Sequence, residues 1–474
     1  MSRELTAILN GLTQGRRPCV ATLLDNGPRW IEADAALSAS ALPHVPLPLF
    51  FSAQQCRHVL DATAAEVVLA ENAAAILALD AGFAPAGAWR GLALLARNAP
   101  AAATLPPGTA KITFTSGTTG QPKGVCLSAA QMEATAAALA RTLAPLGLKR
   151  HLCALPLPVL LENVAGVLAP QRAGITVVTP SLAETGLTGA AGFDAPRFAR
   201  CLDEHGADSV ILLPQMLEAW LAEIEAGRLA PPRHLRFAAV GGARVAPEAL
   251  VRARAAAIPV FEGYGLSECA SVVTLNHPGA NRPGSAGQPL PHLAVTLAAD
   301  GEILVSGQMH LGYLGEAPRP EGIALATGDL GRIDDDGFLF VDGRKKNILI
   351  TAFGRNVAPE WVESELRGEA LIAQAAVFGE ARPWLSAVIV TRGAANDAQI
   401  AQALERVNAN LPDYARIRRF IAAEQPFTPA NGLATANGRP RRDAIYARYQ
   451  ERLENLYSEN LYQEQTDCKE EHYS

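Results

Sequence analysis

Residues 112–124 read Ile112-Thr113-Phe114-Thr115-Ser116-Gly117-Thr118-Thr119-Gly120-Gln121-Pro122-Lys123-Gly124. The first three have the β-branched and aromatic character of a strand. That strand is expected to run into a loop, with a helix following. Gly117, Gly120 and Gly124 let the backbone turn tightly and aim N–H groups at an anion. The hydroxyls of Thr115, Ser116, Thr118 and Thr119 add donors, and Lys123 adds a mobile positive charge. Such a set suits a triphosphate. It is not a Walker A loop, because GxxxxGK[ST] does not fit. A plain Gly/Ser/Thr linker is disfavoured by the preceding strand, by rigid Pro122, and by Lys123 being one of six lysines among 41 basic residues.

Around the loop, apolar β-branched runs recur at 152–155, 175–179, 209–213 and 235–240, with amphipathic stretches at 129–146 and 246–257. Short buried strands alternating with helices predict an α/β fold with largely parallel sheets. Near residue 293 the texture changes: 293–297, 301–305 and 338–341 read as antiparallel strands with turns at 299–301 and 335–337. Beyond Gly343 a second compact unit is expected, with strands near 348–350, 375–378 and 387–390 and helices over 359–366 and 397–408. The expected organisation is a large N-terminal domain, 1–341, whose sheets are flanked by helices and which carries a small β-barrel-like subdomain. A hinge at 342–346 leads to a smaller, mobile α+β domain at 347–454. Residues 455–474 are polar and rich in Tyr and Glu, and are expected to form a flexible tail of the kind an expression tag leaves.

Bulk properties narrow the function. At 474 residues the chain exceeds one hydrophobic core. With 49% hydrophobic and 19% charged residues it is globular rather than disordered. A net charge of -6 offers no basic face for nucleic acid. Seven scattered cysteines without a CxxC pair argue against a zinc site and fit reduced thiols in the cytoplasm. The longest apolar run, 154–170, is broken by prolines, Glu162 and Asn163, so stable membrane insertion is not expected.

TSGTTGQPKG resembles the signature loop of the adenylate-forming superfamily of acyl-CoA synthetases, luciferases and peptide-synthetase adenylation domains. Further matches follow in the family's order: Glu262-Gly263-Tyr264-Gly265-Leu266-Ser267-Glu268, Gly284-Ser285-Ala286-Gly287-Gln288-Pro289, Gly301-Glu302-Ile303, Gly312-Tyr313, Thr327-Gly328-Asp329, Asp342-Gly343-Arg344-Lys345-Lys346 and 354–360. The ordered set spans residues 40–445 and is specific where single motifs are not. The resemblance implies binding of ATP, and of AMP after reaction, by Thr115, Ser116, Gly117, Thr118, Thr119, Gly120, Lys123, Gly242, Ala243, Glu262, Gly263, Tyr264, Gly265, Ser267, Asp329 and Arg344. Tyr264 would stack on adenine and Asp329 would accept the ribose hydroxyls. Ser267 stands where threonine is usual and would donate to the α-phosphate, and Glu268 would hold Mg²⁺ through oxygen. Lys346 falls at the hinge position, and its neighbour Lys345 is expected to be solvated. The catalytic set is then Lys123, Ser267, Glu268, Lys346 and Arg439.

Arg439 marks a departure. The family usually has a lysine in a TxxGKxxR pattern, and here Thr435-Ala436-Asn437-Gly438-Arg439-Pro440-Arg441-Arg442 puts arginine there. No lysine lies between Lys346 and Lys469 to replace it. Arginine keeps the charge and can grip an oxyanion through two donors, although its shape differs. The region before residues 42–47 also looks short for the family, which would alter a dimer surface; a monomer or homodimer is expected.

The stretch 155–166 falls where acyl-CoA synthetases start a helix along the acyl pocket. Leu161, Asn163, Val164, Leu213, Gly241 and Gly242 are the expected pocket residues, with Ala165 beside them and Glu162 read as a helix-end or surface carboxylate. No acidic group is placed to hold an α-amine, so a medium- or long-chain fatty or related apolar acid is expected. The acceptor implied is CoA, with release of AMP and pyrophosphate. Two alternatives stand beside it: an acyl-AMP ligase loading a carrier-protein phosphopantetheine, and a degenerate nucleotide- or acyl-binding protein with weak adenylation.

Overall fold

The computed structural model describes the chain except residues 1, 14–15, 99–102, 116–122, 189–191, 436–437 and 471–474, and only the backbone of 2–3, 115 and 458–470. Two large sheets form its first part. In the first, the order is Gly312–Tyr313, Lys123–Ser128, Thr109–Thr115, His44–Pro46, Val20–Leu23, Val67–Ala70, Leu92–Ala96 and Ala84–Trp89. Its centre is parallel and both flanks are antiparallel. In the second sheet, parallel strands Thr176–Val178, Arg150–Leu152, Ser209–Leu212, Phe237–Val240 and Val260–Tyr264 are extended antiparallel by Thr274–Leu275 and Gln288–Pro289. Ser209–Leu212 is buried at every position because both faces are covered. Trp220, Phe198 and Met216 of two helices pack there.

Helix Ala129–Leu143 starts where the Ser128 hydroxyl accepts from the Gln131 N–H. It joins the two sheets: Met132, Ala136 and Leu139 pack with Val125 and Leu127 of the first and Phe237 and Phe261 of the second. The expected helix therefore exists, but it does not follow the loop directly. Strand Lys123–Ser128 intervenes and pairs antiparallel with Thr109–Thr115. Helix-period and strand-period signals overlap in the apolar run Val125-Cys126-Leu127, which hid the second strand.

The texture change near 293 corresponds to a four-stranded antiparallel sheet: Leu293–Leu297, Glu302–Gly307, Leu325–Ile333 and Leu339–Arg344. After it come a short hairpin, Leu349–Ile350 with Asn356–Val357, and a sheet of Ile372–Phe378, Leu385–Thr391 and Ile417–Ala422. Helices Pro359–Gly368 and Asp397–Asn410 contribute Val362, Leu366, Ile400 and Leu404 to its core. The expected flexible tail is corrected in part. Helix Arg442–Glu470 continues through residue 455, and Tyr457 is buried with its hydroxyl 2.7 Å from that of Ser386. Its anchors Ile445, Tyr449, Leu453 and Tyr457 recur every four residues, a single apolar stripe on an otherwise polar helix. No helix among the described residues is long and apolar enough to cross a membrane.

Candidate active site

The carboxyl ends of parallel strands are where open α/β sheets receive ligands. Here the ends of Ser209–Leu212, Phe237–Val240 and Val260–Tyr264 open into a cavity of about 1540 Å³ that also reaches Asp329, Arg344, Lys346 and Arg439. Backbones crowd at its rim. A Cβ on Gly241 would come 3.2 Å from the Gly263 carbonyl oxygen, and one on Gly265 would lie 1.6 Å from that of Ser271. Gly242 has φ +82°, a region glycine enters without strain.

One polar constellation occupies the cavity wall. The Tyr264 hydroxyl donates to Asp329 Oδ2 at 2.6 Å, and Arg344 Nε lies 2.8 Å from Asp329 Oδ1. The two residues meet because Asp329 and Arg344 are directly paired in the antiparallel sheet. Burial pushes the Asp329 carboxyl above its usual range, opposed by Arg344 and by the Tyr264 hydrogen bond. Beside it, Glu262 Oε2 accepts the Gly284 N–H at 2.8 Å, and burial pushes its carboxyl up to about 7. Lys346 also lines the cavity, and desolvation followed by the charge of Arg344 lowers its pKa. Lys345 is exposed, as expected, and pairs at the surface with Asp300 at 2.6 Å and Glu302 at 2.8 Å.

Ser267 and Glu268 begin a single helical turn, Ser267–Cys269. The Glu268 carbonyl accepts from the His310 N–H at 2.7 Å and from Gln131 Nε2 at 2.9 Å, which fixes the turn. Its carboxylate takes the Tyr313 hydroxyl on Oε1 at 2.9 Å, and no described protein donor occupies the other oxygen. A carboxylate with one uncommitted oxygen fits a Mg²⁺ ligand. Residues 116–120, the centre of the loop, lie outside the described residues, as does the side chain of Thr115. Lys123 is described: its Nζ lies 5.2 Å from the Tyr313 ring centroid and 3.7 Å from Glu316. It is exposed and is not among the residues lining the cavity. Tyr313 thus stands between Lys123 and Glu268, a role its sequence motif did not disclose.

Arg439 reaches in from the C-terminal unit. Its Nη2 donates to the Gly242 carbonyl, and its backbone N–H bonds Thr435 Oγ1 at 3.1 Å. Gly438 before it has φ +74°. Arg244, absent from the expected set, also lines the cavity and donates to the Val341 carbonyl at 3.1 Å. Nothing in its local sequence distinguishes it from the many other arginines.

Leu161, Ala165, Leu213, Gly241, Gly242 and Ala243, expected to form pocket walls, line the cavity. Asn163 and Val164 are not among its lining residues, and their expected places are corrected. Residues Glu162–Leu168 form a π-helix, which rotates side chains away from the α-helical register. Asn163 instead faces a buried network: Lys111 Nζ donates to its Oδ1, and its Nδ2 donates to Asp34 at 3.2 Å. Val164 joins the apolar cluster under helix Ala129–Leu143. Glu162 is not at the surface. It is wholly buried, accepting the Leu155 N–H at 3.0 Å and lying 3.2 Å from His151 Nε2.

Comparison with known proteins places this geometry. The profile of the AMP-binding enzyme family matches residues 1–314, and that of the AMP-binding enzyme C-terminal domain matches 346–461. A long-chain-fatty-acid–CoA ligase, FadD15, of Mycobacterium bovis is 33% identical over 252 residues, covering 47% of this chain and 42% of that protein. The match thus spans less than half of that relative's length. A 2-succinylbenzoate–CoA ligase of Listeria monocytogenes is 29% identical over 337 residues, 69% of each chain. Among solved structures, the anthranilate CoA ligase AuaEII in complex with anthranoyl-AMP superposes with TM-score 0.76 at 18% identity, covering 94% of this chain and 90% of that one. The o-succinylbenzoate CoA synthetase of Bacillus subtilis with its acyl-adenylate gives 0.73 at 22%, covering 94% and 91%. At such identities these two show a shared fold.

Proposed function

The chain belongs to the AMP-binding enzyme family, and on that premise we propose that it uses ATP to activate a medium- or long-chain apolar carboxylic acid and passes the acyl group to the thiol of CoA. The observation that carries this reading is the convergence of Tyr264, Asp329, Arg344 and Arg439 on one cavity that is also lined by the apolar Leu161, Leu213 and Ala165. Neither half of that cavity makes sense without the other: one wall suits a ribonucleotide and the other an aliphatic chain.

In the first step an acid oxygen attacks the α-phosphorus of ATP, an O–P bond forms, and the bond to pyrophosphate breaks. Positioning and charge supply most of the rate. Tyr264 offers its ring face to adenine, and Asp329 offers its lone pairs to the ribose hydroxyls while Tyr264 and Arg344 hold it. Arg439, at the Gly242 carbonyl, brings a permanent positive charge to the junction of acid and phosphate. Ser267 adds a hydroxyl donor. Mg²⁺ when bound at Glu268 would supply charge neutralisation to the phosphates. In the second step the CoA thiol, losing its proton, attacks the acyl carbonyl and AMP leaves.

Acid-dependent exchange of labelled pyrophosphate into ATP tests the first step, and AMP release on adding CoA tests the second. Exchange with aliphatic acids and CoA-dependent AMP release are the expected results. A panel of aliphatic and aryl acids that yields no exchange at all would refute the proposal.

A further inference from the structure

The aliphatic wall of the cavity carries a polar group that the activation chemistry does not use. Strands Arg150–Leu152, Ser209–Leu212 and Phe237–Val240 run in register, with Ser209 opposite both His151 and Phe237. Ser209, Ile211, Phe237, Ala239 and Gly241 all line the cavity, as alternation along a strand requires. From Gly241 at the strand end back to Phe237 is four residues, or about 13 Å. At that depth, after an apolar stretch of Ile211, Ala239, Leu161 and Ala165, the cavity meets His151 and Ser209.

These two belong to a buried relay. Glu162 accepts the Leu155 N–H on Oε2 at 3.0 Å and faces His151 Nε2 with Oε1 at 3.2 Å. A carboxylate accepting on both oxygens makes Nε2 the protonated nitrogen of His151. Its Nδ1 then carries the lone pair and accepts the Ser209 hydroxyl, 3.1 Å away. The lone pairs of Ser209 Oγ are left with no donor among the described residues, although Ser209 is only 3% exposed. Gly166 keeps the space for the relay, since a Cβ there would lie 2.0 Å from Glu162 Oε1 and 2.9 Å from His151 Nε2. Cys153 is close enough to complete a three-ligand cluster with His151 and Glu162, all ligand atoms within 4.8 Å. The cluster is satisfied without an ion, because Cys153 Sγ donates to the Gly166 carbonyl at 3.6 Å.

Burying such a relay in place of aliphatic side chains is costly unless its open acceptor has a partner. We infer that the acid this pocket takes carries a hydrogen-bond donor, a hydroxyl or amino group, toward its far end, received by Ser209 and held in place through His151 and Glu162. The inference rests on the acid-activation reading above and adds the class of acid to it.

The test compares octanoic, decanoic and dodecanoic acids with their ω-hydroxy and ω-amino counterparts, by calorimetric binding to the full chain and by pyrophosphate exchange. At the matching length the hydroxy or amino acid is expected to bind about tenfold tighter than the methyl-ended one, the worth of one net hydrogen bond. Ser209→Ala, a small change in a strand, should level the two by weakening only the polar acid. His151→Phe, checked for folding by circular dichroism, should do the same. Equal affinities in the wild type at every length, or a preference that survives Ser209→Ala, would overturn the inference. A binding preference without exchange for any acid would instead strike the activation reading and leave this one standing.

Discussion

Glu262 lines the cavity, with its charge opposed by its surroundings. Burial pushes its carboxyl from 4.5 up to about 7, against the Gly284 N–H and Arg244. A carboxyl raised by folding stabilises the fold while protonated; that contribution is complete below about 4.5 and is lost as pH climbs through about 7. The shift corresponds to on the order of 3 kcal/mol. Urea unfolding of wild type and Glu262→Gln across this window should therefore show a slope in the wild type that the variant lacks. Identical slopes would rule out the burial argument. Arg439 makes a different claim, on rate. Arg439→Ala should lower pyrophosphate exchange about a hundredfold, as loss of one oxyanion-stabilising group does. Arg439→Lys should keep most of the activity, since the charge and one donor remain. An unchanged rate in Arg439→Ala would remove it from the mechanism.

Two elements carry the site, and each departs from the simple pattern. Strand Lys123–Ser128 follows the loop and pairs with Thr109–Thr115, and Tyr313 links its first residue, Lys123, to Glu268, so no helix begins there. The π-helix Glu162–Leu168 turns Glu162 and Asn163 inward and leaves Leu161 and Ala165 for the cavity. Strand Thr109–Thr115 and this helix are tied together by Lys111, which lies 2.7 Å from Asp34 and also holds Asn163. Asp34 is further bound to His44 at 2.7 Å, whose Nε2 meets Thr22 Oγ1 at 2.8 Å. Burial alone would raise the Asp34 carboxyl, but Lys111 and His44 together hold it well below its usual range. Lys111→Met leaves that carboxylate buried without its ammonium partner, and should cost roughly 3–5 kcal/mol in chemical denaturation. Adding Asp34→Asn should recover part of the loss. No recovery would mean that packing, rather than the buried charge, explains the cost.

At the scale of the molecule, the C-terminal unit is held over the cavity by a few polar contacts. Arg392 Nη2 meets Glu218 Oε2 at 2.7 Å, and Arg439 bonds the Gly242 carbonyl. Burial raises the Glu218 carboxyl, opposed by Arg367, Arg392 and Arg252, so the pair is enclosed on the large-domain side. These contacts exist in the arrangement that brings Arg439 to the Gly242 carbonyl. Arg392→Ala should accordingly slow pyrophosphate exchange about tenfold and leave thioester formation from a preformed acyl-adenylate nearly unchanged, by single-turnover kinetics. Equal slowing of both half-reactions would show that the ion pair stabilises the protein generally and does not favour one arrangement.

The local signals that the sequence carries are those with short range. Alternation of apolar runs and helical periods determined the α/β class, the antiparallel texture after residue 293 and, in the C-terminal unit, the strands near 348–350, 375–378 and 387–390 and the helices near 359–366 and 397–408, because period 2 and period 3.6 are set by neighbouring residues. Glycines packed against backbone, such as Gly265 and Gly241, and the ordered motifs around Tyr264, Asp329 and Arg439 were legible for the same reason. Only the tertiary structure decided which side chains meet. Asp329 finds Arg344 through strand register, Lys111 finds Asn163 across 52 residues, and Glu162 turns inward through one π-helical widening. The closing segment of the loop reads as a helix approach and folds as a strand because it pairs with Thr109–Thr115, an energy that no window of local sequence contains.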